Sequence, residues 1–328
     1  MTDPYIGDHA CEETCYRGNG GRNRTAADPD TRGDLVGRYV TLLLLCAPPL
    51  SAAVMLLAGH GPTLRSAVTG FLIGWVSLHG IAIGYHRYLT HRSFAAGPRT
   101  RAVLGVLGAT AVQGGPISWV ATHRVHHRST EKPGDPHSPG AGTVTLRGLL
   151  HAHVGWLLDP PCTDAEAVCP DLTSDPVIRR VDRLWPLIAV VSVLVLPFLV
   201  GLVGGGVAGA VNVMIWGGVV RMGVVHHLTW SVNSIAHTWG RRPFPTKDGS
   251  RNVAVLAPFT CGEGWHNAHH AYPRMARHGM LPGQIDTAAR VIRTLEMLGL
   301  VTEVRWPDRE KMARTAAEAT RTRSVRAA

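Results

Sequence analysis

Apolar residues along this chain gather in long unbroken runs and do not follow the short repeat of a surface that faces water on one side. Four runs reach membrane length, at 39–59, 67–85, 186–203 and 207–225. A helix rising about 1.5 Å per residue needs roughly 20 residues to cross a hydrocarbon core about 30 Å thick. The links 60–66 and 204–206 allow only turns, so the runs predict four transmembrane helices in two antiparallel hairpins. Pro48 and Pro49 fall inside the first run, where a membrane helix absorbs them as a kink. A fifth apolar stretch, 102–119, is rich in small residues (Gly105, Gly108, Ala109, Gly114, Gly115) and closes with Pro116. If it crossed fully, the His-rich segments on either side of it would lie on opposite faces. It is therefore expected to be interfacial or re-entrant.

Charge near the run ends orients the spans. Arg22, Arg24, Arg32 and Arg38 precede the first run; Arg87, Arg92, Arg99 and Arg101 follow the second; Arg179, Arg180 and Arg183 precede the third. The two hairpin turns hold only Arg65. Basic residues stay on the cytoplasmic side, so both termini and the central loop are expected there. Arg221, inside the last run, is expected to snorkel or pair. The predicted organisation is a polar tail at 1–35, a membrane domain at 36–304 and a basic C-terminal tail at 305–328, solvated or lying on a surface.

Composition changes this picture little. The 328 residues are 45% hydrophobic and 17% charged, too apolar for disorder, although the mean hydropathy is only +0.06. The net charge of +10 suits nucleic acid, an anionic membrane face or an anionic substrate, and its placement beside the apolar runs selects the membrane over nucleic acid. Cys11, Cys15, Cys46, Cys162, Cys169 and Cys261 contain no CxxC pair, which argues against a disulfide framework or a zinc knuckle. The first apolar run begins only near Tyr39, unlike a cleavable signal.

The chemistry lies in the histidines. Nine of 18 fall in four clusters outside the apolar runs: His86 and His91; His123, His126 and His127; His237, four residues after Asn233; and His266, His269 and His270. Offsets of three and four put side chains on one helix face, so each HxxHH box can aim three imidazoles at one place. The five-residue offset of His86 and His91 is expected to spread them around the helix, toward two ions. One zinc needs about four ligands, and nine imidazoles exceed that. Two ions taking four or five each would use them all, leaving Asn233 to hold a water. All-nitrogen sites suit iron better than magnesium or calcium, with copper, zinc and nickel still open. His79, His226 and His227 are read as buried hydrogen-bonded residues, and His9, His60, His151, His153 and His278 as local packing or exposed.

The stretches Gly84-Tyr-His-Arg-Tyr-Leu-Thr-His-Arg-Ser-Phe94, His123-Arg-Val-His-His-Arg-Ser129, Asp135-Pro-His137, His153-Val-Gly-Trp-Leu-Leu158, Trp230-Ser-Val-Asn-Ser-Ile-Ala-His237 and Gly262-Glu-Gly-Trp-His-Asn-Ala-His-His270 carry a resemblance over about 39–304. The sequence resembles the membrane fatty-acid desaturase family, in its acyl-CoA (stearoyl-CoA type) branch. That resemblance implies an all-α membrane protein with a cytoplasmic helical cap holding a di-iron site. The nine histidines would be ligands, with Asn233 binding through water. It also implies O2 as co-substrate and a cis double bond set into an acyl-CoA or other acyl thioester. A hydroxylase, epoxidase or acetylenase on the same fold is the nearest alternative, and a non-catalytic metal carrier a distant one. Asp135, His137 and Glu263 are candidates for orienting ligand imidazoles. Arg147, Arg179, Arg180, Arg241 and Arg242 are candidates for the acyl head group. Where animal members of this branch place basic residues, this chain has Asp159-Pro160-Pro161, which leaves acyl carrier protein or lipid as possible carriers. No haem, nucleotide or iron-sulfur motif is present in the sequence, so electrons are expected from a separate ferredoxin or rubredoxin with its reductase.

Overall fold

A computed structural model describes residues 31–140, 142, 144–158 and 163–327. His9, Cys11, Cys15, Cys162, most of the 1–35 tail and the Asp159-Pro160-Pro161 departure lie outside the described residues. Among the described residues the helices longer than four residues are, in chain order, α1 (Thr31–Leu57), α2 (Leu64–Thr90), α3 (Pro98–Ala109), α4 (Pro116–Ser129), α5 (Leu146–His153), α6 (Pro176–Leu202), α7 (Gly206–His237), α8 (His266–Ala271), α9 (Thr287–Met297) and α10 (Arg309–Ala327). A two-residue antiparallel ladder joins β1 (Ala95–Ala96) to β2 (Val301–Thr302).

Among the described residues four helices are long and apolar enough to cross a membrane: Gly37–Leu57 within α1, α2, α6 and α7. The protein is membrane-embedded. α7 touches each of the other three spans, whereas α1 is peripheral: only 6% of its most apolar stretch is buried in protein, against 61% for α2. Leu43, Leu50, Val54 and Leu57 of α1 point outward, as lipid-facing side chains do. α2 and α7 outrun the predicted runs at their C-terminal ends, by one and three turns respectively. Those extra turns carry His86, His91 and His237 out of the apolar layer and into the cap.

The stretch 102–119 is not one helix. α3 ends at Ala109, a six-residue link (110–115) with Gly114 and Gly115 follows, and α4 starts with Pro116 at its first turn, where a missing N–H costs nothing. Twelve residues span about 18 Å at the helical rise, too short to cross. α3 presses instead against α2 and α6. A Cβ at Gly84 would sit 2.4 Å from the Leu104 carbonyl oxygen, so only glycine permits this approach.

Arg221 neither snorkels nor meets a carboxylate. It is 5% exposed and donates to the Ser192 carbonyl (2.9 Å), the Ser192 hydroxyl (3.1 Å) and the Thr110 carbonyl (3.4 Å), tying α7 to α6 and to the end of α3. The C-terminal region also departs from a solvated tail. Arg305 donates its N–H to the Ser93 carbonyl, and α10 buries Met312 and Ala316 against Phe244, Ala268 and Met280. An apolar stripe within a basic sequence was enough to dock it.

Candidate metal centre

All nine clustered histidines converge at one end of the spans, and they fall into two groups. His86, His91, His123, His127 and His269 form one, His126, His237, His266 and His270 the other; within each, ring nitrogens lie within 4.8 Å of one another. Two expectations are corrected here. His86 and His91 enter the same group, because Gly80–Thr90 is π-helical and its bonds close over five residues, His91 N–H to His86 carbonyl at 3.1 Å. In that winding an offset of five returns to the same face. Nor does each HxxHH box aim at a single place. α4 sends His123 and His127 to the first group and His126 to the second; α8 sends His269 to the first and His266 and His270 to the second. The i,i+4 pair shares one flank and the remaining residue lies on the other, so both helices run between the groups.

Carboxylates grip the outer nitrogens. Nδ1 of His86 meets Glu263 at 2.6 Å, His126 meets Asp135 at 2.8 Å, His237 meets Glu131 at 3.1 Å and His270 meets Asp248 at 3.1 Å. A carboxylate can only accept, so each Nδ1 carries the proton and each Nε2 presents a lone pair. The Nε2 atoms face one another: His86 to His269, His269 to His127, His237 to His266 and His270 to His266, each Nε2 to Nε2 at 3.0 Å. Burial, and then the neighbouring imidazoles, hold His123, His266, His269 and His270 well below the usual histidine range, so protonation is no escape. His269 and His266 each face two other ring nitrogens, and one proton cannot serve both, so nitrogen lone pairs stay pressed together and repel. A cation in the middle of each group turns that repulsion into binding, and the donor set fits a transition metal.

Of the residues singled out in the sequence for orienting imidazoles, Asp135 lies against His126 and Glu263 against His86. His137 stacks on the His126 ring at 4.4 Å and offers no hydrogen bond to a clustered imidazole. Asn233 is half-buried one turn before His237 and lines the cavity described below. Glu131 and Asp248 escaped the sequence reading. Glu131 follows a histidine box by four residues, a faint signal; Asp248 lies in a loop that only the fold brings to His270. His278 escaped too. It is fully buried, with its ring 4.4 Å from His269 and Nδ1 3.3 Å from Glu263. Beyond Glu263, Arg87 bridges to Asp286 (3.0 Å), and all three side chains are at most 10% exposed.

The histidines read as bystanders hold local bonds. His79 Nδ1 donates to the Trp75 carbonyl (2.9 Å), His226 Nε2 to the Ala111 carbonyl (2.9 Å), and His153 pairs with His227 (3.0 Å). Cys169 and Cys261 are buried thiols and Cys46 is an exposed one.

A cavity of about 250 Å³ opens onto both groups through His86, His123 and His266. Its wall is mostly apolar, with Leu78, Ile81, Ala82, Trp119, Trp156 and Trp230. None of Arg147, Arg179, Arg180, Arg241 and Arg242 lines it.

Comparison with known proteins gives this geometry a context. The family described as fatty acid desaturase matches residues 62–282. The chain is 41% identical to a hex-5-enoyl-[acyl-carrier protein] acetylenase of Moorena producens, over 74% of this chain and 78% of that protein. It is 35% identical to an sn-1 stearoyl-lipid 9-desaturase of Anabaena variabilis, over 71% and 80%. It is 39% identical to an acyl-CoA C20 Delta5-desaturase of Anemone leveillei, over 70% of each chain.

Proposed function

The chain belongs to the fatty acid desaturase family, and from that premise we propose that it is an O2-dependent di-iron enzyme setting a cis double bond into a long-chain acyl thioester. Family membership makes it an oxidoreductase acting on fatty acyl chains. The observation that carries the finer reading is the convergence of nine imidazoles, in groups of five and four, on one apolar cavity.

His86, His91, His123, His127 and His269 would hold one iron, and His126, His237, His266 and His270 the other, with Asn233 reaching it through water. Two bound irons supply O2 activation and the oxidising power to remove two hydrogens from an unactivated methylene pair, which side-chain acids and bases cannot do. The chain's own residues do the rest. Glu263, Asp135, Glu131 and Asp248 keep protons on Nδ1 and lone pairs directed inward. Trp119, stacked on His123 with ring centres 5.0 Å apart, and Trp230 hold the alkyl chain against the site and keep bulk water out.

For the carrier, acyl-CoA follows from the branch that the sequence resembles. A second reading, triple-bond formation on an acyl chain held by acyl carrier protein, is favoured by the 41% identity to an acetylenase of that type. Orientation, with both termini and the metal centre on the cytoplasmic face of a bacterial membrane, rests on the arginines that flank the spans. The test is expression with a ferredoxin or rubredoxin and its reductase, with iron assay and mass spectrometry of acyl chains. New unsaturation in iron-loaded cells supports the reading. Folded, iron-loaded protein that leaves every acyl chain unchanged overturns it.

A further inference from the structure

The cavity reaches the five-imidazole group from one side, through His86, His123 and Glu263. From the other side of Glu263 a buried chain of bonds runs outward. Glu263 meets Arg87 at 3.1 Å, Arg87 meets Asp286 Oδ1 at 3.0 Å, and that oxygen accepts the Ala289 N–H at 2.9 Å. Ala289 lies in the first turns of α9 and lines a surface groove with Arg277, Arg290, Arg293, Trp306 and Pro307. The groove is therefore joined to the clustered His86 through three side chains: Asp286, Arg87 and Glu263.

The patch around it is basic. Arg290 and Arg293 are exposed on α9, and the Arg293 guanidinium lies 5.9 Å over the Trp306 ring. Exposed Arg305, whose carbonyl accepts the Ala276 N–H at 2.9 Å, and exposed Arg274 extend it. Glu296, paired to Arg293 at 2.6 Å, Glu303, and exposed Asp308 directly after Pro307 are acids beside it. None of these arginines lines the acyl cavity, so the patch is separate from it.

We propose that this groove is the docking site of the electron donor, a small acidic one-electron carrier protein. The proposal rests on the O2-dependent reading above. In that reaction O2 takes four electrons and four protons to become two waters. The methylene pair supplies two electrons and two protons as it becomes an alkene. Two further electrons must come one at a time from two carriers, each oxidised by one electron, and two protons from water. A basic surface attracts an acidic partner and raises its association rate, an effect that salt removes. Arg and Trp are the residues that most often anchor protein interfaces. The groove combines both with a direct bonded route to His86, on the side that the acyl chain leaves free.

The test uses full-length iron-loaded enzyme in detergent or nanodiscs, with a reduced plant-type ferredoxin as the acidic probe and dithionite as a small reductant. Anaerobic stopped-flow absorbance follows reduction of the iron. For R290E/R293E the ferredoxin rate at low salt should fall about tenfold or more, and R290Q/R293Q should fall in between. Added salt should slow the wild type toward the variants, while dithionite rates and iron content stay unchanged. Wild-type ferredoxin rates in R290E/R293E, or a salt-independent wild type, would overturn the docking site alone. So would a raised KM for acyl substrate with unchanged ferredoxin reduction, since the groove would then hold the acyl carrier. Absence of any dithionite-reducible iron in the wild type would instead overturn the di-iron reading.

Discussion

The two imidazole groups are made of the same side chain, yet the protein secures them differently. Among the described residues the five-membered group has one carboxylate contact, Glu263 on His86, and that carboxylate is held by Arg87, which Asp286 holds in turn. The four-membered group has three separate carboxylates, Asp135, Glu131 and Asp248, each from a loop and each on a different imidazole. One group depends on a single buried chain of charge, the other on three parallel supports. Burial makes the first arrangement the more fragile. Arg87 is wholly buried, and removing one of its carboxylate partners leaves charge uncompensated where water cannot reach.

The largest effects come from the imidazoles themselves. If each group holds one iron as proposed, His127→Ala in the first or His266→Ala in the second should reduce turnover to background and lower bound iron by about one per chain. Full turnover by either variant would show that its group is not a metal site. Glu263→Gln should weaken metal binding by the five-membered group about 10- to 100-fold while the four-membered group stays loaded. Asp248→Asn, with Asp135 and Glu131 still in place, should cost about tenfold or less. Iron titration with a competing chelator measures both, and equal losses from both variants would erase the contrast drawn here.

Acid acts on both groups together and more gradually. Burial keeps His123, His127, His266, His269 and His270 below the usual histidine range when folded. The unfolded chain, with histidines near 6.5, binds more protons as the pH falls, so their contribution is full above about pH 6.5 and is lost below it. Metal-free protein should therefore melt at progressively lower temperature as pH drops from about 7 to 5. A flat melting curve over that range would mean that the rings reach water.

Much of this architecture was legible in the sequence. Run length gave the four spans, since a 20-residue apolar stretch has few other uses, and clustering picked out the nine histidines. What stayed hidden depended on winding and on long-range contact. The helical offset rule misplaced His91 because α2 becomes π-helical over Gly80–Thr90, and nothing in the residue spacing announces that change. The boxes were read as single-ion motifs because a three-residue offset looks aligned until a second site exists on the other flank. Glu131, Asp248 and His278 belong to the site only through chain segments that meet in three dimensions, as when the Gly249 N–H donates to Glu131 at 2.8 Å. The docked C-terminal helix was obscured by its charge.

That helix supplies the smallest predicted effect and a control for the others. Met312 packs with Phe244, Ala268 and Met280, and Ala268 lies on α8 between His266 and His269. α8 feeds both imidazole groups, so loosening its outer face should not favour either one. Met312→Ala removes buried side-chain volume at a cost of about 2 kcal/mol, the low end for such truncations because a terminal helix can shift inward to refill the space. The expected outcome is a melting temperature lowered by a few degrees, with both metals retained and turnover near the wild-type rate. Selective loss of metal from one group in this variant would mean that packing, and not the carboxylates, sets the difference between the two sites.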